Sequence, residues 1–293
     1  MEILGYRDNG RCFEHPERKA VFVGDFIDRG PKIRESLQIV RSMVESGHAL
    51  AVMGNHEYNA LCFHTPDGNG DYLRKRTQKN IDQHTATLRA FEGLEDEFKD
   101  YRDWFMSLPL WLEIHGLRVI HACWDDKQMA TLGGDRFLNQ ELLVNSAKRG
   151  TQEFRAVETL LKGKEVSLPE GVVYTDKAGH ARNEIRVKWW LPAAGATFHD
   201  MCFPTAENMP HLAVPEDLHP ELGEGYHPDH PPVIVGHYWL NCDTPGILAP
   251  NLACVDYSVA KDGGKLVAYR WDGEQTLRNE KFVCVTRGAE VKK

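Results

Sequence analysis

The chain has no Cys-x-x-Cys pair, no apolar run of membrane-spanning length and no excess of positive charge. Each absence removes a class of protein. The seven cysteines, Cys12, Cys62, Cys123, Cys202, Cys242, Cys254 and Cys284, are odd in number and widely spaced. That pattern predicts reduced thiols in a cytoplasmic protein, neither a disulfide framework nor a zinc finger. Without an apolar stretch of about 18 residues, no transmembrane helix is expected. The opening residues Met1 to Arg7 lack the charged start and apolar core of a signal peptide. A net charge of −8 argues against general affinity for nucleic acid or anionic membranes. No internal repeat or low-complexity tract occurs. With 293 residues, 42% hydrophobic and 27% charged, the composition is that of a globular protein with a substantial core.

What the chain does have is a set of short apolar runs that stop on metal-ligating residues. Ala20 to Val23 leads into Gly24-Asp25, and Leu50 to Met53 into Gly54-Asn55-His56. Val119-Ile120 precedes His121, and Val233 to Val235 precedes Gly236-His237. Such runs read as buried strands. In open α/β sheets ligands bind beyond the carboxyl ends of the strands.

Residues 20 to 63 predict a strand–helix–strand–helix unit with a parallel pair. Pro31 would open the first helix, Ile33, Leu37, Val40 and Val44 would form its buried stripe, and Gly47 would end it. A surface loop is expected over 64–80 and one helix over 82–107. His115-Gly116 reads as a hairpin turn between Leu110–Ile114 and Leu117–His121. Helices are predicted near 139–148 and 151–162. Asn251 to Val285 reads as antiparallel strands turned at Asp262-Gly263-Gly264 and Asp272-Gly273. The expectation is one α/β (α+β) domain over 1–293, with a cap or insertion over approximately 125–230.

Gly24-Asp25-Phe26-Ile27-Asp28-Arg29-Gly30 is the most specific segment. One carboxylate can face a metal while the arginine offers a planar fork to phosphate oxygens. The amide oxygen of Asn55 is a hard ligand, and His56 is suited to proton donation. His121 and His237 add imidazole nitrogens. Alone, each residue is more often a cap or a packed side chain; together they supply four donors for one metal, with room for water.

These segments resemble the calcineurin-like metallophosphoesterase superfamily, nearest to the branch of PPP-type serine/threonine phosphatases and bacterial diadenosine-tetraphosphatase-like enzymes. The resemblance implies a β-sandwich flanked by helices, with two divalent metals at the sheet rim. It implies Asp25 bridging the metals and Asn55, His121 and His237 completing one site. His56 would protonate the leaving oxygen, Asp28 would orient His56, Arg29 would hold the phosphate and Glu57 would brace Arg29. The reaction implied is hydrolysis of a phosphomonoester or nucleotide phosphoanhydride by metal-activated water. Manganese is the expected metal, with iron, zinc or nickel as alternatives. Expected partners are a small phosphorylated substrate or nucleotide, or else a phosphoprotein.

The family's first motif, Asp-x-His-Gly after a strand, has no counterpart before Asp25; Met1 to Tyr6 reads as the tail of the helix that would follow it. Asp82-x-His84 and Asp217-x-His219 match the letters but follow no strand, and are taken as coincidences. The expectation is therefore one metal per chain, with reduced or absent turnover. The alternatives are a truncated metal-binding scaffold and a serine/threonine protein phosphatase. In the cap, Lys177, His180, Arg182, Arg186 and Lys188 with Trp189 and Trp190 read equally as a phosphate- or base-binding patch and as a solvated face over core tryptophans. Asp256-Tyr257-Ser258 stands where relatives carry an aspartate near the site, or is a structural turn.

Overall fold

The computed structural model describes residues 1–175, 181–206, 208–241 and 243–288; Lys177, His180 and Cys242 lie outside them. After a short 3-10 turn at Glu2–Leu4, the chain forms a small antiparallel pair, Arg7–Asp8 (β1) with Phe13–Glu14 (β2). Ala20–Phe22 (β3) then runs parallel to Ala49–Ala51 (β4), with Val21 opposite Leu50. Helix α1, Ile33–Glu45, makes the crossover and buries Ile33, Leu37, Val40 and Met43. Met43 replaces the expected Val44 because the stripe drifts with the 3.6-residue turn. Burial of each such side chain is worth roughly 1.5–3 kcal/mol. Gly47, at φ 77°, closes the helix. Pro31 falls just before the helix, whose N-cap is Lys32.

Helix α2, Asn55–His64, starts four residues after β4 and is buried on nearly every side. The single helix expected over 82–107 is two, α3 (Gln78–Ala90) and α4 (Glu95–Met106). Gly93, at φ 73°, makes the break. The reversal stacks Phe91 on Phe98, centroids 4.8 Å apart. Trp111–Ile114 (β5) and Leu117–Ile120 (β6) form the expected hairpin. His115 and Gly116 both take positive φ, 51° and 86°, as a type I′ turn requires.

Three helices follow: α5 (Asp126–Thr131), α6 (Gln140–Ser146) and α7 (Gln152–Lys162). Their Met129, Leu143, Val157 and Leu160 join the main core. Next come Glu165–Ser167 (β7), Tyr174–Thr175 (β8), Ala181–Arg182 (β9) and Glu184–Arg186 (β10), paired as β7 with β10 and β8 with β9. This stretch has a small core of its own, including Val166, Ile185, Phe198, Met201 and Leu222.

Val233–Val235 (β11), Ile247–Ala249 (β12) and Leu252–Cys254 (β13) complete a five-stranded sheet of order β12-β13-β11-β6-β5. Asp256–Tyr257 (β14), Lys265–Tyr269 (β15) and Phe282–Thr286 (β16) form a three-stranded antiparallel sheet. The tail is therefore not wholly antiparallel: β13 runs parallel to β11. Its Leu252, Ala253 and Cys254 are buried on both faces, as suits a central parallel strand. Ile120, Val233, Val235 and Cys254 point to a core shared with the helices. Val119, Ile234 and Ala253 point to the opposite core, against Tyr269 and Phe282 of the second sheet. The result is a mixed α/β sandwich with helices on one outer face. Among the described residues no helix is long and apolar enough to cross a membrane.

Candidate metal centre

Two glycines bring the first two strand ends together. A Cβ on Gly24 would lie 2.4 Å from Gly54 N, and one on Gly54 would lie 2.3 Å from Asp25 N. Only glycine lets these backbones pass so closely. The third approach is similar: a Cβ on Gly236 would meet Val23 Cγ2 at 2.8 Å. Asp25, Asp28 and His237 all hold positive φ, at 62°, 68° and 69°. Such strain in non-glycine residues persists only where surrounding structure enforces it, and it clusters at functional sites.

Asp25, His121 and His237 offer ligand atoms that all lie within 4.8 Å of one another. Asn55 stands among them. Its Oδ1 is 3.1 Å from His121 Nε2 and 2.8 Å from His237 Nδ1. The tautomer of His121 follows from its other nitrogen, because Nδ1 lies 2.5 Å from the Val23 carbonyl, which can only accept. Neutral His121 therefore turns an Nε2 lone pair toward Asn55 Oδ1, and toward Asp25 Oδ1 at 3.4 Å. Lone pairs facing one another need a proton or a cation between them. An imidazole whose far nitrogen donates to a backbone carbonyl is the usual arrangement of a metal-bound histidine. One carboxylate, one amide oxygen and two imidazoles suit a divalent transition metal. The residues present thus fit such an ion.

The electrostatics agree. Burial alone would raise the Asp25 carboxyl, but His121 and His56 beside it hold it far below the carboxylate range. Burial opposes charge on His121, yet Asp25 raises its pKa overall. Burial, with Arg186 and His121 nearby, pushes His237 well below its ordinary value, and its Nε2 is buried without a partner.

Beside the donor set stands an acid–base pair. His56 Nδ1 lies 2.7 Å from Asp28 Oδ2. Burial would lower the His56 pKa, but Asp25 and then Asp28 raise it to about 9. Asp28, in turn, is driven down to about 2 by its bonds to His56 and His84, against the desolvation of its buried carboxyl. Its other oxygen is held by His84 Nδ1 at 2.6 Å and by the Thr87 hydroxyl, which donates at 2.7 Å. Thr87 Oγ1 also accepts the Asp28 N–H at 2.8 Å. Sequence reasoning missed both. His84 was set aside with Asp82 because it follows no strand; it sits on α3, where burial among aromatics was the only available signal.

Glu57 differs from its expected role. Fully buried, it accepts from the backbone N–H groups of Asp25, Phe26 and Gly54 at 2.8, 2.7 and 2.9 Å. It staples the two glycine loops and does not brace Arg29. Burial and the Asp25 charge raise its pKa. Arg29 is exposed and lies over the Trp239 ring, 4.6 Å from its centroid. Trp189 and Trp190 of the cap stretch are packed in the core, so neither offers a free stacking face. Arg186 pairs with Glu165, and Lys188 donates to the Asp200 carbonyl. Asp256 accepts from Trp239 N–H at 3.0 Å and Ser258 N–H at 3.1 Å, tying two loops at the rim.

A family model described as calcineurin-like phosphoesterase matches residues 5–181. An asymmetrical bis(5'-nucleosyl)-tetraphosphatase of Geobacillus sp. (strain WCH70) is 44% identical over 120 residues, covering 41% of this chain and 47% of that protein. One from Bacillus subtilis (strain 168) is 34% identical over 130 residues, covering 42% and 50%. The chain thus spans about half the length of the curated relatives it matches. A solved serine/threonine phosphatase from Saccharomyces cerevisiae aligns over 96% of this chain and 73% of its own, at 12% identity and a TM-score of 0.44.

Proposed function

Since the chain belongs to the calcineurin-like phosphoesterase family, we propose that it is a metal-dependent phosphohydrolase acting on a nucleotide phosphoanhydride or phosphomonoester. The observation that carries this reading is the convergence of Asp25, Asn55, His121 and His237 beside the His56–Asp28 pair. A divalent cation on those four residues, manganese by preference over iron, zinc or nickel, supplies Lewis acidity toward phosphoryl oxygens and acidifies water.

The protein's own groups do the rest. His56, kept protonated by Asp25 and Asp28, delivers a proton to the leaving oxygen. Asp28, fixed by His84 and Thr87, sets the ring's orientation and offsets its charge. Arg29 offers its fork to the non-bridging oxygens. A nucleotide substrate is supported by the tetraphosphatase names of the relatives. Cys12, Cys62, Cys123, Cys202 and Cys284 are free thiols, in keeping with a reducing cytoplasm.

The test is hydrolysis of p-nitrophenyl phosphate, diadenosine tetraphosphate and a phosphoserine peptide with added Mn²⁺. Activity lost to chelator, and lowered by about 10²–10⁴-fold in His56→Ala, is expected. A folded, Mn²⁺-loaded chain that turns over none of the three would favour a metal-binding scaffold. Preference for the peptide would assign a protein phosphatase instead.

A further inference from the structure

Trp239 stands in a segment built to hold it outward from the core. Tyr238 is its anchor, with the hydroxyl donating to the Ala122 carbonyl at 2.9 Å and accepting from Trp189 Nε1 at 2.9 Å. On either side, His237 and Trp239 take positive φ, 69° and 51°. His237 joins the donor set, and the half-buried Trp239 ring carries two cations. Arg29 Cζ lies 4.6 Å from its centroid and Lys261 Nζ 4.7 Å.

Lys261 is placed as deliberately. Asp256 accepts from both Trp239 N–H and Ser258 N–H, so one half-buried carboxylate fixes both loops. Ser258 has φ 57°, and its carbonyl accepts the Lys261 N–H at 2.8 Å. A Cβ on Gly264 would stand 1.9 Å from the Ser258 oxygen, so the turn closes only with glycine there. Both Arg29 and Lys261 are exposed, and among the described residues neither forms an ion pair with a carboxylate. Two unneutralised cations sharing one ring repel each other, in a chain whose net charge is −8. Strained backbone that maintains such a pair marks a place where an anion belongs.

We propose that Lys261, held on the Trp239 indole beside Arg29, forms a subsite for a second phosphate, selecting substrates with a chain of two or more phosphates over monoesters. The inference rests on the phosphohydrolase reading, in which Arg29 and the metal donors take the phosphate that is attacked. Lys261, on the same indole, meets the next phosphate along; a monoester has no group to place there.

The experiment is calorimetric titration of the full chain at one fixed free Mn²⁺ concentration. The probes are orthophosphate, methylenediphosphonate and adenosine 5'-(α,β-methylene)diphosphate. Loss of a charge-assisted bond predicts that Lys261→Gln weakens both diphosphonates by about tenfold or more. Orthophosphate should change by less than about twofold, and Lys261→Arg should restore the difference. Trp239→Leu should weaken both diphosphonates as Lys261→Gln does and, because the ring also carries Arg29, should lower orthophosphate affinity as well. Equal retention of the two diphosphonates assigns recognition to the phosphates alone; tighter binding of the adenosine compound adds a contact to the nucleoside. Unchanged diphosphonate affinity in Lys261→Gln overturns the subsite, while an orthophosphate affinity that still falls in Arg29→Gln leaves the phosphohydrolase reading standing. Orthophosphate binding indifferent to Arg29→Gln overturns both.

Discussion

Replacing Glu57 by glutamine isolates the staple that joins the two glycine loops. Glu57 is 0% exposed, and its two oxygens receive three backbone N–H groups. Oε2 takes Asp25 N and Gly54 N, while Oε1 takes Phe26 N. Glutamine has one acceptor oxygen. In its better orientation the amide keeps the bonds to Asp25 and Gly54, and turns an NH₂ group against the Phe26 N–H. One bond to a charged acceptor is lost, at about 1.5–3 kcal/mol, and a buried donor is left unpaired, at about 1–3 kcal/mol. Glutamine also relieves the buried charge that raises the Glu57 pKa, which returns part of that sum. The expected net destabilisation is about 2–4 kcal/mol by urea unfolding at pH 7–8. Because the freed Phe26 N–H adjoins the ligand Asp25, Mn²⁺ affinity should fall by about 10–100-fold, as for other groups that orient metal ligands. A change below about 0.5 kcal/mol together with unaltered Mn²⁺ affinity would refute the staple, since surface-like substitutions give changes of that size.

The other expectations follow from single contacts. Thr87→Val strips Asp28 of two hydrogen bonds and should cost about 2–4 kcal/mol in urea unfolding; retained stability would mean that water or a shift of α3 replaces them. Gly54→Ala places a Cβ against Asp25 N, so the folded chain should lose more than about 3 kcal/mol and its tight Mn²⁺ binding; a stable, metal-competent variant would show that the loops part easily. His64 is held neutral, its pKa depressed to about 3 by burial and by Arg102 and His84. The unfolded chain binds that proton first, so this contribution is complete above about pH 6.5 and is lost as pH falls toward 3. The ring is partly exposed, so His64→Asn should flatten the slope of stability between pH 6 and 4 by only about 0.5–1 kcal/mol per pH unit. Parallel slopes for the two proteins would remove the buried neutral histidine.

The strand-end residues were legible because their positions are fixed by local rules. A short β-branched run followed by glycine and a polar ligand places that ligand at a sheet rim, and Asp25, Asn55, His121 and His237 do converge there. The helix stripe Ile33, Leu37 and Val40 and the His115-Gly116 turn were legible for the same reason. What stayed hidden depends on contacts between segments distant in sequence. His84 and Thr87 reach Asp28 from a helix more than fifty residues on. Glu57 looks like an arginine partner until the backbone N–H groups it accepts from are seen. Trp239 and Lys261 carry no motif at all, and only the closed loops bring both to Arg29. The break at Gly93 was missed because apolar periodicity continues on both sides of it, from α3 into α4.

The most direct test is Mn²⁺ titration of the full chain by calorimetry in two buffers of different ionisation heat, with Asn55→Leu and His237→Leu alongside. The expected result is saturable binding accompanied by proton release, because a cation replaces the proton held among His121 Nε2, Asn55 Oδ1 and Asp25 Oδ1. Each substitution should then weaken binding by about tenfold or more. Binding that ignores both substitutions, or no binding by the folded chain, would contradict the metal centre on which the whole account stands.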